Sequence, residues 1–318
     1  MPADPLHHPH DGLFKLAFSN PLHAAAAFQA YLPAAVTREL DFSQLTLEPG
    51  HYVDQELNQC ESDLLFRLPY QGEDAFVYML FEHQSTPDRW LPLRLLRYQV
   101  RIWDQYLRGK DHGPHLPVII PVVLAQCGGR WPMEPRFSAL FNLPPDRAAV
   151  LREHIPDFCF GLIDLAALPW ESLRGTPFGI VAMAALKGEG EEELLSERVW
   201  NEERLEHARE EEVAALVYYL LGTAGIDEVQ LGAMLRTLRN AMLSQTAMTA
   251  YDRLIEKGRV EGREEGALIG RIQTLEDLLG RVETPSSELA QRSIAELQVQ
   301  HADLKNALRT AGLNHPRT

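Results

Sequence analysis

Apolar positions along the first half of the chain alternate between helical and strand periods. Between residues 10 and 31 they recur at helical spacing, with Leu13, Phe14, Ala17 and Phe18 on one face. Asn20-Pro21 divides this stretch into two helices, because a residue before proline is pushed out of the helical region. Residues 45–48 and 51–56 read as short strands. Residues 63–68 read as a strand and residues 69–74 as a turn. Residues 76–81 form a nearly continuous apolar run, expected of a strand buried on both faces. Residues 90–107 then form an amphipathic helix, with Leu93, Leu96, Val100, Trp103 and Leu107 as the apolar stripe. Arg94, Arg97, Arg101 and Arg108 form a basic stripe beside it, and Gly109 is the stop. Residues 117–124 read as another buried strand, and residues 158–162 as one more.

From residue 189 the pattern becomes helical and highly charged. The clearest pieces are residues 213–221, 229–243 and 267–279. Residues 256–266 hold a charged repeat with glycine every four residues. Thr284-Pro285 reads as an N-cap followed by proline at the first helical position. Ile294, Leu297, Leu304 and Leu308 approximate a coiled-coil seam, with His301 at one seam position. Exposed leucines at that spacing favour burial against a partner, so the seam predicts a homo-oligomer, most simply a dimer, through the C-terminal helices. The expected division is a first domain over residues 1–188 and a helical C-terminal region over residues 189–318.

Composition narrows the function classes. Apolar residues make up 45% of the 318, enough for a sizeable core. No apolar run approaches the roughly 20 residues of a membrane span, and the N-terminus lacks the pattern of a signal peptide. The expectation is a cytoplasmic protein with no membrane partner. Cys60, Cys127 and Cys159 form no CxxC pair, so neither a disulfide framework nor a zinc ribbon is indicated; they read as buried reduced thiols. The net charge of −15 argues against a protein that coats nucleic acid non-specifically. It leaves room for a local basic face that meets phosphate.

The chemistry concentrates on one hairpin. Asp63 opens one strand and Glu82 closes the next. Side chains alternate along a strand, so Glu82 and Gln84 share a face and His83 takes the other. A hairpin would bring Asp63 close to that pair. Two carboxylates at one point repel unless protonated or bridged by a cation, and such hard oxygen ligands suit Mg²⁺ or Mn²⁺. Metal-bound water is then a candidate nucleophile. Taken alone the spacing is weak, because most strand-end acids are merely solvated. Arg94, Arg97 and Arg101 strengthen it: they share a helix face directly after the Glu82 strand, as phosphate-backbone binding requires.

At these residues the chain resembles a known family. His10-Asp11-Gly12-Leu13-Phe14-Lys15, Ser62-Asp63-Leu64-Leu65-Phe66, Glu82-His83-Gln84-Ser85 and Arg94-Leu95-Leu96-Arg97-Tyr98 occur in order, followed by the strand around Pro117 to Leu124. The set is similar to the recombination-promoting nuclease/putative transposase family (YhgA-like), a branch of the PD-(D/E)XK nucleases. The glycine repeat at 256–266 also resembles that family's C-terminal region. The resemblance implies an α/β fold: a PD-(D/E)XK nuclease-like core, a mixed β-sheet flanked by helices, followed by a mostly α-helical C-terminal region. It implies Asp63 and Glu82 as metal-binding acids, the His83 carbonyl as a further ligand, and Gln84 where the superfamily usually has lysine. Asp11 and Lys15 would reach the same pocket, and Arg94, Arg97, Tyr98 and Arg101 would contact DNA. The implied activity is Mg²⁺- or Mn²⁺-dependent endonucleolytic cleavage of DNA, linked to recombination or mobile elements. The chain departs from its relatives after Leu124, where Ala125-Gln126-Cys127-Gly128-Gly129 replaces an aromatic-His-Gly turn.

Two other classes compete with this reading. One is a non-catalytic DNA- or protein-binding module that keeps the fold; the other is a transposase, which commonly uses a different acidic triad. His7, His8 and His10 read as part of an unstructured terminus, and neither they nor His112 and His115 have zinc-motif spacing. Trp131, Trp170 and Trp200 read as packing residues.

Overall fold

The structure, a computed structural model, describes residues 9–49, 63–71, 73–84, 86–109, 113–142, 150–223 and 226–313. The expected strand at 51–56, together with Cys60, His7, His8 and His112, lies outside the described residues. The chain divides into two compact units, Met1–Ala250 and Tyr251–Thr318.

The first unit is built on a five-stranded sheet in the order β1 (Thr46–Leu47), β2 (Asp63–Tyr70), β3 (Glu73–Gln84), β4 (Val118–Cys127) and β5 (Gly161–Asp164). β1, β2 and β3 are antiparallel neighbours; β3, β4 and β5 run parallel. The helices α1 (Pro9–Phe18), α2 (Pro21–Tyr31) and α3 (Ala34–Thr37) precede the sheet. The helix breaks at Asn20-Pro21 as the sequence predicts, with Asn20 capping α2 and Pro21 opening it. A parallel step cannot be made with a tight turn, and α4 (Leu91–Arg108) crosses between β3 and β4.

Alternation along β3 sorts the two faces. Phe76, Tyr78 and Leu80 pack with Leu91, Leu95, Tyr98, Ile102 and Tyr106 of α4. On the other face Phe81 stacks on Phe14 of α1, and Phe66 meets Phe28 of α2 edge-on. The buried stripe of α4 therefore differs from the expected one. Val100 and Leu107 are exposed, while the tyrosine-bearing stripe faces the sheet. Both stripes are apolar at helical spacing; the one that wins offers broad aromatic rings to the wide floor of the sheet.

The unit continues past the expected boundary at 188. Helix α5 (Pro177–Lys187) is buried along most of its length and is followed by α6 (Glu191–Leu194), α7 (Glu202–Leu205), α8 (Glu210–Gly222) and α9 (Glu228–Leu235). Polar bonds tie α8 back to the first helices. Buried Glu212 lies 3.0 Å from His23 Nε2, and His23 Nδ1 lies 2.6 Å from the Thr176 hydroxyl that caps α5. Tyr219 donates to the Ala185 carbonyl at 3.2 Å, with His10 Nδ1 3.3 Å from its hydroxyl. The acidic segment after residue 188 is thus part of the first unit, joined by partners that local composition does not reveal.

Helix α10 (Ala241–Leu278) takes in the glycine repeat. In the second unit its Leu268 and Ile272 pack against Leu289 of α11 (Ser286–Leu289) and against Leu297 and Leu304 of α12 (Ile294–Leu313). Pro285 is the N-cap of α11 rather than its first residue. Of the expected dimer seam, Leu297 and Leu304 are covered by their own chain and Ile294 partly so, while Leu308 is partly exposed outside this cluster. Cys127 is buried and Cys159 exposed, which corrects the expectation that both are interior thiols. Among the described residues no helix is long and apolar enough to cross a membrane.

Candidate active site

Asp63 lies opposite Leu80 in the β2–β3 ladder. Residues directly opposite in an antiparallel pair project to the same face, so Asp63, Leu80, Glu82 and Gln84 all face α4. Beyond Leu80, β3 continues and pairs with β4, placing Glu82 beside Ala125 and Gln84 beside Cys127. Glu82 is therefore the next residue of β3 on the face of Asp63, at the end where the antiparallel β2 stops and the parallel β4 continues.

Their surroundings are unusual for carboxylates. Neither oxygen of Asp63 nor Oε1 of Glu82 is open to solvent or closes a full hydrogen bond. The Tyr78 hydroxyl, two residues before Leu80 on the same face, lies near enough to favour the charged form of Asp63. Burial nevertheless dominates and raises the Asp63 pKa to about 6, against the opposing charges of Arg94 and Lys15; Asp11 adds to the rise. Glu82 is 3% exposed, and burial raises its pKa as well. Arg94 opposes that rise: its Nη2 donates to Glu82 Oε2, and its Nη1 lies 3.5 Å from Asp88.

α1 approaches the same end of the sheet. Its Lys15 and Asp11 both act electrostatically on Asp63. His83 points away from the acids and stacks on His10, ring centroids 3.9 Å apart. Burial lowers both imidazoles, His10 to about 4, so the stacked pair is neutral at pH 7. His10 Nδ1 also meets Gln126 Oε1 at 3.1 Å. His10 is thus an ordered helix residue and not part of an unstructured terminus. Past this pair lies a cavity of about 290 Å³, bounded by His83, Gln84, Gln126, Cys127, Leu165 and Lys187. Gln126 forms the wall where relatives were expected to carry a histidine.

The residues expected to contact DNA separate into three groups. Arg94 is engaged with Glu82 and Asp88 inside the site. Tyr98 is 2% exposed and packs on Tyr78, so it is a core residue rather than a surface contact. Arg97 is exposed and Arg101 partly so, leaving these two on the basic face. Tyr78, Asp88, Gln126 and Tyr219 were not singled out from sequence. The two-residue period of β3 signals Tyr78 once Asp63 is known; nothing local signals Tyr219.

Among the described residues no group of three or more His, Cys, Asp or Glu is arranged to hold a metal. A site made of two carboxylates and a backbone carbonyl would not form such a group. Three buried carboxylate oxygens without full hydrogen bonds are what a hard cation requires of its ligands, so the donor set at Asp63 and Glu82 fits one.

Comparisons with known proteins bear on this geometry. A family described as "Putative transposase, YhgA-like" matches residues 8–195. Recombination-promoting nuclease RpnD of Escherichia coli O157:H7 is 32% identical over 161 residues, 51% of this chain and 60% of its own length. Recombination-promoting nuclease RpnC of Escherichia coli (strain K12) is 26% identical over 162 residues, 51% of this chain and 52% of its own length. The inactive recombination-promoting nuclease-like protein RpnE of the same strain is 27% identical over 116 residues, 36% of this chain and 38% of its own length. The chain spans little more than half the length of the first two relatives. No solved structure matches it significantly. The family match covers more than half of the chain and takes in Asp11, Lys15, Asp63, Glu82, Gln84 and Arg94, and on that ground the chain belongs to the YhgA-like, recombination-promoting nuclease (Rpn) family.

Proposed function

We propose that the chain is a metal-dependent DNA endonuclease with a PD-(D/E)XK-like core, cleaving phosphodiester bonds at Asp63, Glu82 and Gln84. One observation carries the reading: two acids on one sheet face hold three carboxylate oxygens out of solvent without full hydrogen bonds. The order of the sheet, three antiparallel strands and a helical crossover to a parallel fourth, supports the core assignment.

Asp63, Glu82 and the His83 carbonyl would hold Mg²⁺ or Mn²⁺. When bound, the ion would lower the pKa of its water and neutralise charge developing on the phosphate. The chain's own residues divide the remaining work. Asp63 must be ionised to act as a ligand, and its pKa of about 6 makes that state available at neutral pH. Arg94 favours the charged form of Glu82 against the effect of its burial. The Gln84 amide can accept from and donate to a water beside Glu82, but it brings no positive charge. Lys15 supplies a cation on the Asp63 side, where it already acts on that carboxylate. Arg97 and Arg101, farther along α4, would position the phosphate backbone without reading sequence.

DNA binding without cleavage is the second reading. It is favoured by the relative that is named inactive, and opposed by the presence of both buried acids here. Plasmid nicking with Mg²⁺, Mn²⁺ or EDTA separates the two. Wild type should nick only with a divalent ion, and Glu82→Gln should bind DNA yet leave it intact. Equal nicking by Glu82→Gln would remove Glu82 from the site.

A further inference from the structure

Of the five tryptophans, Trp131 and Trp200 are buried. Trp103 is partly covered and donates to the Pro117 carbonyl, and Trp170 lies under the Lys187 and Arg198 side chains. Trp90 is different. It is 57% exposed at the N-cap of α4. An indole left in water forgoes a large burial gain, so its placement calls for an occupant.

Trp90 is tied to the acids by a short polar chain. Its backbone N–H donates to Asp88 Oδ1 at 2.8 Å, Asp88 Oδ2 lies 3.5 Å from Arg94, and Arg94 bonds Glu82. The backbone of Trp90 is thus joined to the rim of the candidate active site. Besides Asp88, two cations lie near it. The Arg89 guanidinium lies 5.6 Å from the ring centroid, and exposed Arg97 is two helical turns along the same face of α4. In a chain of net charge −15 this combination of an open aromatic face and two cations favours a polyanion with planar groups.

We propose that Trp90 is a stacking platform for an unpaired base, and that the substrate is DNA containing unpaired nucleotides beside the cleaved bond. This deepens the nuclease reading and rests on it. A base within a continuous duplex has both faces covered by its neighbours; only an extruded or single-stranded base offers a face to a side chain. Arg89 and Arg97 would meet the flanking phosphates, and stacking on Trp90 would supply a sequence-tolerant preference.

The test is binding in EDTA, where cleavage does not intervene. Fluorescence anisotropy compares a labelled duplex with the same duplex carrying a central bubble. Wild type should bind the bubble roughly ten-fold more tightly, the scale of one base–aromatic stack. Trp90→Ala should bring both affinities together, and Trp90→Phe should keep most of the difference. Unchanged bubble preference in Trp90→Ala, or no preference in wild type, overturns the proposal. So does a change of oligomeric state in Trp90→Ala, which would make the indole a protein contact. Nicking with Mn²⁺ is read separately. Cleavage without bubble preference removes only the stacking role, whereas bubble preference without cleavage removes only the nuclease reading.

Discussion

Replacing Asp63 with asparagine should stabilise the folded chain at neutral pH. The reason is the carboxylate's position: both oxygens are shut from solvent, and burial moves its pKa from 3.8 to about 6. Below pH 3.8 the group is protonated whether the chain is folded or not, and it costs nothing. As pH rises the unfolded chain ionises first, while the folded side chain keeps its proton until about pH 6. Folding therefore loses stability across that window, and the whole deficit is present above it. A shift of that size corresponds to roughly 2–3 kcal/mol at pH 7.5. For a unit of this length the gain in Asp63→Asn is a rise in melting temperature of roughly 5–10 °C. The assay is thermal unfolding by circular dichroism in EDTA at pH 7.5 and pH 3.8. The gap should be wide at the first and nearly closed at the second. Millimolar Mn²⁺ should then stabilise wild type and leave the variant unmoved, because a ligand that binds only the folded state raises its stability. A variant no more stable than wild type at pH 7.5, or a gap independent of pH, would refute the idea that Asp63 is a buried charge kept for binding.

Two further perturbations should destabilise the chain and a third should stabilise it. Arg94→Ala leaves Glu82 charged and buried without its partner and should cost roughly 3 kcal/mol in urea unfolding, the scale for breaking such a pair; a cost near zero would mean that Glu82 is protonated in the native state. Leu297→Ala removes a fully buried side chain from the second unit and should cost about 2–5 kcal/mol, read as lost helicity. Gly262→Ala should stabilise α10 by roughly 1 kcal/mol, since nothing lies within 4 Å of the added methyl; loss of stability would reveal a contact on that face.

The hairpin and its acids were legible because strand alternation is strict. Once residues 63–68 and 76–81 are read as paired strands, Glu82 and Gln84 must share a face, His83 must oppose them, and Asp63 must lie near their end; that Asp63 shares their face depends on the register, which pairs it with Leu80. The same rule reaches Tyr78. Helix α4 was harder: its two apolar stripes have equal periodicity, and only the shape of the sheet selects the one containing Tyr98. Periodicity also failed at Leu297 and Leu304. It states that these leucines need a partner, not whether the partner lies in the same chain. The least legible contacts are the longest. His10 meets Tyr219 across 209 positions, and His23 meets Glu212 across 189. No local pattern joins such pairs, and they are the reason the first unit extends beyond residue 188.

Plasmid nicking by wild type and Asp63→Asn in the presence of Mn²⁺ tests the central claim most directly. The variant keeps the fold and, by the reasoning above, improves its stability, so lost activity cannot be assigned to unfolding. Wild type should convert supercoiled plasmid to open circles only with the metal present, and Asp63→Asn should leave it supercoiled. Nicking by the variant at the wild-type rate, or by wild type in excess EDTA, would contradict a metal-dependent nuclease centred on Asp63 and Glu82.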